Sequence, residues 1–490
     1  MKVQDKPPTL GCPERLASLK GEVQQSVEEL LKFSETSDES FAGFEKRLRV
    51  VMMTLGKVLI QVFLLRRHER LDLQPFLEDG RYRLGNPYAE RTLKTSWGVL
   101  RYGRTHLIAR RNGAGCHPLD IELVLTRDRL SPWVMQVVGK LATRMSFAAT
   151  RLVCKAVLGW SPATETIEQV VLGMGREAAP FMAQLAAPPK DGEVLIIEVD
   201  GKCPPTATAA ELAKRRGPRA RHKRACSCGC QRHRGQAKRR RRGPKKRRKR
   251  GDKSKNGKEV VVVVMYTLRR GDDGRLHGPI NKQGWASFAG TRAAALWART
   301  QATKRGFGPD TTKTVQILTD GASRLKDHLA PLFPQAIFTL DVCHVVERLW
   351  SLGRHFHKEG TEELEEWVAE LKTLLYSGAA ATLVRRLDNW LGEVPLHGPG
   401  TQGRRKALVE QIGYLEPRLA MMDYATWRKQ DLVIATGQVE GAVRHVVGER
   451  MDCAGMRWLQ GKGEALLQLR CIEINGDWDQ GIRIKLIPVY

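Results

Sequence analysis

Acidic residues are scarce in this sequence relative to basic ones. The 490 residues include 53 Asp and Glu against 82 Lys and Arg, which gives a formal net charge of +29. This excess of cations favours a polyanionic partner, most simply nucleic acid. The hydrophobic share of 42% allows about three domains with buried cores, and the composition excludes collagen-like, coiled-coil and wholly disordered proteins.

Long uninterrupted apolar runs are also lacking. The richest apolar stretch, residues 50–65, is broken by Lys57 and Gln61 and is shorter than the ~20 apolar residues that a membrane span needs. The first 15 residues contain no apolar segment of the kind found in signal peptides. We therefore expect a cytoplasmic, soluble protein without a membrane partner.

The ten cysteines show no spacing typical of a disulfide framework, which favours a reducing compartment. Most are isolated, but Cys226, Cys228 and Cys230 lie within five residues. Such crowding is poor disulfide geometry and better metal-ligand spacing. Together with His233 these thiols could supply the four N/S ligands of a Zn²⁺ ion. The alternative is a flexible basic loop with incidental thiols.

The positive charge is concentrated in one insert. Residues 214–258 contain 23 Lys and Arg and a single acidic residue, so they carry 22 of the 29 net charges. Because strand-like segments flank this insert, we interpret it as an internal loop or subdomain. Its cations should bind phosphate groups without reading sequence, although a solvated loop would have the same composition. The predicted DNA-binding residues are Arg239, Arg240, Arg241, Arg242, Lys245, Lys246, Arg247, Arg248, Lys249 and Arg250.

Changes of pattern along the chain predict six regions. Residues 1–75 form an N-terminal helical region, 76–130 a small β or linker region, 131–185 a pair of helices resembling a helix-turn-helix, 191–345 an α/β core with the basic insert at 202–258, 346–435 an α-helical insertion, and 436–490 a C-terminal helix that completes the core. The alternative for 131–185 is an ordinary helical pair. Within it, Ser161 is a candidate N-cap.

Three predicted strands end in a carboxylate. Asp200, Asp320 and Asp341 each follow an apolar run, and residues at strand ends gather along one edge of an open sheet. The order of the elements is strand, hairpin, strand, helix, strand, helix, strand, helix. This order predicts an α/β fold with a ribonuclease-H-like mixed sheet. The alternative role for these Asp residues is to cap the helices that follow them.

Clustered carboxylates suit divalent cations. Cleavage of a phosphodiester needs an activated nucleophile and a stabilised leaving oxygen, and two Mg²⁺ (or Mn²⁺) ions about 3.5–4 Å apart supply both. We expect the third acid on the C-terminal helix, with Glu440 as the best candidate and Glu449 as the competitor. Arg444, four residues after Glu440, could contact a phosphate or pair with Glu440.

Several stretches resemble ISKra-type insertion-sequence transposases, which are DDE enzymes distantly similar to the Mutator-like group. The resemblance covers about residues 20–485. It rests on 198–202 (EVDGK), 209–217 (AAELAKRRG), 251–257 (GDKSKNG), 340–347 (LDVCHVVE) and 437–451 (GQVEGAVRHVVGERM).

This resemblance implies Mg²⁺-dependent cleavage at the ends of a DNA element and transfer of the freed 3′-OH into target DNA. It implies catalytic, metal-binding roles for Asp200, Asp320 and Glu440, and auxiliary roles for Asp341 and His344. The implied partners are the terminal repeats, target DNA and a further copy of the chain, at least a dimer on DNA. The alternatives are a ribonuclease-H-like nuclease without strand transfer and a non-catalytic basic or zinc nucleic-acid-binding protein.

Overall fold

The computed structural model describes residues 13–78, 80–111, 113–126, 128–216, 257–321, 323–453 and 455–479. The chain divides into two compact units. Unit 1 consists of the chain up to Phe181 and from Trp478 onward, and unit 2 consists of Met182–Asp477. The predicted zinc ligands Cys226, Cys228, Cys230 and His233 lie outside the described residues, as do the predicted DNA-binding residues between Arg239 and Arg250.

Unit 1 begins with a long helical hairpin and continues with short strands and further helices. In chain order its elements are α1 (Pro13–Thr36), α2 (Phe41–Glu69), α3 (Gln74–Leu77), β1 (Tyr82–Leu84), β2 (Ala89–Thr95), β3 (Gly98–Arg104), β4 (Leu107–Ala109), α4 (Pro118–Glu122), α5 (Pro132–Arg144), α6 (Phe147–Leu158) and α7 (Thr164–Gln184). Helix α2 is long and apolar enough to span a membrane by length and composition alone, and little of its apolar stretch is buried.

Two antiparallel ribbons, β1–β4 and β2–β3, lie within residues 76–130, for which the sequence predicts a small β or linker region. The β2–β3 hairpin packs its inward residues, including Leu93 and Leu100, against Leu64 of α2. Beneath this small core lies a buried ionic cluster in which Asp120 pairs with Arg91 and Arg104. The burial of one carboxylate between two guanidinium groups is tolerable because each charge has a partner.

The helices α5, α6 and α7 match the predicted helical region after residue 131. Ser131 and Ser146 cap α5 and α6 through their hydroxyl groups, and Gly159 ends α6 with a φ of +74°. The prediction that Ser161 is an N-cap is wrong. Helix α7 begins at Thr164, and the first backbone bond at its start runs from Ile167 N to Ala163 O.

Unit 2 is a mixed α/β structure. In chain order its elements are β5 (Val194–Lys202), α8 (Ala209–Arg216), β6 (Val260–Arg270), β7 (Leu276–Ser287), α9 (Thr291–Lys304), β8 (Val315–Thr319), α10 (Ser323–Leu329), β9 (Ile337–Leu340), α11 (Val342–Gly353), α12 (Glu362–Tyr376), α13 (Ala380–Glu393), α14 (Thr401–Leu415), a 3₁₀ segment (Glu416–Met421), α15 (Tyr424–Lys429), α16 (Gly437–Ala442), a π segment (Val443–Gly448), α17 (Glu449–Met451) and α18 (Gln460–Asn475).

The five strands form one mixed sheet in the order β7-β6-β5-β8-β9. Strand β6 runs antiparallel to both of its neighbours, β5 and β7, and a hairpin turn at residues 271–274 joins β6 to β7. Strands β8 and β9 run parallel to β5. The helices between them provide the crossover connections that parallel strands need.

Each face of the sheet carries its own layer. Leu195, Ile197 and Val199 of β5 join a core with the alanine-rich face of α9 and with residues of α10. Because side chains alternate along a strand, Ile196, Glu198 and Asp200 point to the opposite face. That face is covered by α16 and α18, and Gln468 of α18 donates to the Ala286 carbonyl at 3.0 Å.

The C-terminal region departs from the single predicted helix. It contains α16, a π segment, α17 and, after a break, α18. The helices α11–α15 fill the predicted α-helical insertion, and several of their side chains bind the edge of the sheet. Tyr424, for example, donates its hydroxyl to the Leu340 carbonyl at 2.8 Å.

Candidate functional site

Three carboxylates lie side by side at one edge of the sheet. Val199 of β5 pairs with Thr319 of β8, and Thr319 pairs with Leu340 of β9. The next residues are Asp200, Asp320 and Asp341, so they occupy equivalent positions on three neighbouring parallel strands, which lie about 4.8 Å apart. We call these three residues the carboxylate row. The predicted gathering of strand-end acids at one edge is therefore present.

The charges of Asp320 and Asp341 affect the pKa of Asp200. Burial raises its pKa, a hydrogen bond from Gly201 N at 2.6 Å opposes that effect, and the negative charges of Asp320 and Asp341 raise the pKa further. The charge of His344 acts in the opposite direction. Burial is the largest cause of the raised pKa of Asp200, and the neighbouring carboxylates add to it, so a cation at this edge would stabilise the charged form.

Asp341 is fully buried and has both of its oxygens occupied. Oδ1 accepts from Cys343 N at 3.1 Å and from Thr436 N at 3.3 Å. Oδ2 accepts from Thr436 Oγ1 at 2.8 Å and lies 2.5 Å from His344 Nδ1. Burial would raise the pKa of Asp341, but these hydrogen bonds, led by that of His344, hold it below the usual range. Asp341 is also the N-cap of α11, as the capping alternative predicts for this residue.

His344 is the cationic partner of Asp341. Its hydrogen bond to Asp341 outweighs burial and raises the pKa of His344 to about 9, with further contributions from the charges of Asp341 and Asp320. The imidazole is therefore protonated at neutral pH in this arrangement. A positive charge at the carboxylate row partly neutralises it and can also attract a phosphate group.

Glu440 approaches the row from α16. One oxygen of Glu440, one of Asp341 and a ring nitrogen of His344 all lie within 4.8 Å of one another. Of the residues that the structure describes, this is the group that could hold a metal ion, and Asp200 and Asp320 lie outside its 4.8 Å limit. Glu440 is exposed, in contrast to Asp341.

The other two predicted residues of the C-terminal segment, Arg444 and Glu449, are not members of this group. Arg444 is exposed, and among the described residues no ion pair joins it to Glu440. The physical reason is that α16 ends at Ala442 and Arg444 belongs to the π segment, so the spacing of four residues no longer follows α-helical geometry. Glu449, the competing acid, accepts from His445 at 2.9 Å.

The α-helical insertion clamps the turn that carries Asp320. Tyr414 donates its hydroxyl to the Asp320 carbonyl at 2.6 Å. Arg418 donates from Nε and Nη2 to the Gly321 carbonyl at 2.9 and 2.6 Å. The guanidinium groups of Arg348 and Arg418 lie over the Tyr414 ring, at 3.5 and 4.5 Å from its centre. We call Tyr414, Arg418 and Arg348 the turn clamp.

Sequence reasoning missed the turn clamp, Thr436 and Glu198. No local pattern identifies Tyr414 or Arg418, because they are more than 90 residues from the turn that they hold. Glu198 did carry a signal, since it is a charged residue inside an otherwise apolar run of β5. A scan against protein-family models finds no match for this chain, and a search of curated proteins finds none either.

Proposed function

We propose that this protein is a DDE-type DNA transposase of an insertion sequence. It would cleave the phosphodiesters at the ends of a DNA element and join the freed 3′-OH to target DNA. The observation that carries this proposal is the carboxylate row, with Asp200, Asp320 and Asp341 in register and with Glu440 beside Asp341 and His344. Acids contributed by separate strands and a distant helix are what phosphodiester chemistry with divalent cations requires.

The fold supports the same proposal. The order β7-β6-β5-β8-β9, with an antiparallel triplet followed by two parallel strands, is the arrangement expected of a ribonuclease-H-like core. In the sequence, helices α11–α15 lie between Asp341 and Glu440, as an α-helical insertion would. Because a fold alone does not define an activity, the proposal depends mainly on the site residues.

The donor chemistry of the row suits hard cations, while the ligand atoms that already lie within 4.8 Å of one another are those of Asp341, His344 and Glu440. Carboxylate oxygens are the ligands that Mg²⁺ and Mn²⁺ prefer, and a cation would relieve the charge repulsion that raises the pKa of Asp200. Asp200 and Asp320 would hold the ions, and Glu440 would complete the site. Two bound ions would supply an activated nucleophile and a stabilised leaving oxygen.

Asp341 and His344 would act as auxiliary residues. The four hydrogen bonds that Asp341 accepts suit it to shape the site and to orient His344. The protonated imidazole would contact a phosphate of the bound strand. Neither role requires these residues to bind an ion.

DNA binding would be spread over several parts of the chain. The basic insert at 202–258, with a possible Zn²⁺ ion at its cysteines, would grip the DNA backbone without reading sequence. The helices of unit 1 would recognise the terminal repeats. Because two element ends must be brought together, at least two copies of the chain would act on one DNA.

The proposal is tested with single substitutions in the acids. The variants Asp200→Asn, Asp320→Asn and Glu440→Gln should each lose Mg²⁺- or Mn²⁺-dependent cleavage by at least about a hundredfold, which corresponds to roughly 2.7 kcal/mol of transition-state stabilisation. Their affinity for DNA should stay unchanged. The substrates are duplexes taken from both flanks of the DNA that encodes this chain, and Asp310→Asn, which changes an exposed carboxylate of unit 2, is the matched control.

Three outcomes separate the alternatives. Full cleavage by any one acid variant overturns the role of that acid. Cleavage without joining of pre-cleaved 3′-OH ends identifies a nuclease. If the unsubstituted protein binds DNA in a salt-sensitive way but shows no metal-dependent cleavage, it is a non-catalytic nucleic-acid-binding protein.

A further inference from the structure

A fifth carboxylate lies beneath the site. Glu198 is on β5, two residues before Asp200 and on the same face of the sheet, and its side chain is fully buried. Its Oε1 accepts from the Tyr266 hydroxyl at 2.6 Å, and its Oε2 accepts from Val439 N at 2.8 Å. Glu198 therefore joins β5 to the neighbouring strand β6 and to α16.

A carboxylate is a costly choice at this position. The surrounding positions of β5 and β6 are apolar, and an aliphatic side chain would fill the space without loss of hydration. Burial raises the pKa of Glu198, and the hydrogen bonds from Tyr266 and from the backbone of α16 oppose that effect. What the carboxylate provides, and an aliphatic residue would not, is an acceptor aimed at one backbone N–H of α16.

The segment before Glu440 is held at two points. Thr436 binds Asp341 through its N–H and its hydroxyl, at the end of β9. Val439 binds Glu198 on β5. Glu440 is the next residue, so its backbone is fixed against the strands that carry Asp200 and Asp341.

We infer that Glu198 is a positioning residue, which holds α16 through the Glu198–Val439 hydrogen bond so that Glu440 faces the carboxylate row. One part of this inference rests on the proposed function: the expectation that Glu198 affects the affinity of the site for a divalent cation. The hydrogen bond itself is independent of that function. The two parts are therefore measured separately.

The decisive comparison uses three variants of the full chain. Glu198→Leu removes both acceptors and keeps a similar volume. Glu198→Gln keeps one acceptor oxygen for Val439 N–H and can turn its amide toward the Tyr266 oxygen. Tyr266→Phe keeps the Val439 bond and removes only the partner on β6.

Two readouts are taken on each variant: the dissociation constant for Mn²⁺, by titration calorimetry, and amide exchange of residues 437–442, by mass spectrometry. We expect Glu198→Leu to raise the dissociation constant at least tenfold and to speed the exchange of this segment at least tenfold. Glu198→Gln and Tyr266→Phe should stay within about threefold of the unsubstituted protein in both measurements. A purely structural role predicts instead that Tyr266→Phe and Glu198→Leu have equal effects.

The inference is overturned if Glu198→Leu leaves the exchange of 437–442 unchanged, or if Tyr266→Phe matches its effect on exchange and on Mn²⁺. Should Glu198→Leu fail to fold, as judged by circular dichroism, Glu198→Asp replaces it, because the shorter side chain keeps the charge but withdraws the carboxylate from Val439. If the unsubstituted protein does not bind Mn²⁺, the proposed function fails, and the exchange data still decide whether Glu198 positions α16.

Discussion

A buried ion pair at the start of β5 gives the sharpest prediction about stability. Asp191 accepts two hydrogen bonds from one guanidinium, Arg305 Nε to Oδ2 at 2.6 Å and Nη2 to Oδ1 at 2.7 Å. It also accepts from Thr267 of β6 at 2.6 Å and from Asn281 of β7 at 3.2 Å. The side chain of Arg305, which follows α9, is 1% exposed. One carboxylate thus connects three strands and a helix.

The substitution Asp191→Asn keeps the shape of the side chain and removes its charge. It leaves a buried guanidinium without a counter-ion, which costs about 3–5 kcal/mol in comparable buried pairs. We expect the free energy of unfolding of the variant to fall by that amount at pH 7. In thermal melts the midpoint should fall by roughly 10 °C, given about 2–4 °C per kcal/mol for domains of 150–250 residues.

The pH dependence follows from the depressed pKa of Asp191. Burial raises this pKa, but the hydrogen bonds from Arg305 and Thr267 more than offset that effect and lower it. A carboxylate whose folded pKa is depressed stabilises the fold fully above its unfolded value and loses that contribution as the pH falls through the folded value. The difference between the unsubstituted protein and Asp191→Asn should therefore be constant from pH 5 to 8 and shrink below about pH 4.

Urea unfolding monitored by circular dichroism measures this difference across the pH range. Asp310→Asn is the control, since that carboxylate is exposed and its loss should change the free energy by less than about 0.5 kcal/mol. A cost below about 1 kcal/mol for Asp191→Asn at pH 7, or a difference that grows on acidification, would refute the reasoning.

Two further predictions concern other parts of the chain. In unit 1, Asp120→Asn should lower the free energy of unfolding by about 3–5 kcal/mol, because Arg91 and Arg104 would lose their buried counter-ion; an effect as small as that of Glu122→Gln, an exposed acid of the same helix, would contradict this. At the turn that the turn clamp holds, Gly321→Ala should cost about 2–3 kcal/mol and lower cleavage, since Gly321 has a φ of +82° and an added Cβ would lie 2.7 Å from Arg418 Nε. Gly360→Ala, at a similar φ but in open space, is its control, and equal losses of cleavage in both variants would disprove the clamp.

In unit 2, the sequence predicts best the strands of the sheet and the aspartates that follow three of them. Strands buried on both faces give continuous apolar runs in the sequence, and β6 and β8 are strands of this kind. An Asp at the end of such a run is visible in the sequence. The register that aligns Asp200 with Asp320 is not, because it depends on how the crossover helices pack.

Long-range contacts explain what the sequence did not predict. The distance between Glu440 and Asp341 depends on the path of five intervening helices, and no periodicity specifies it. The π segment after Ala442 changes the helical register, so the four-residue spacing of Glu440 and Arg444 does not place them as an α-helix would; the alternative that Arg444 contacts a phosphate stays a prediction. Ser161 failed as an N-cap because a preference for a residue type does not fix where a helix begins.

The division of the acids between the sheet and α16 has a consequence for synthesis. Chains emerge from the ribosome N-terminus first, so the segments that carry Asp200, Asp320 and Asp341 are complete long before residue 440 is added. An unfinished chain therefore lacks Glu440, the acid that lies beside Asp341 and His344. The group of Asp341, His344 and Glu440 can therefore form only after residue 440 has been synthesised. A chain that ends before this residue lacks the group.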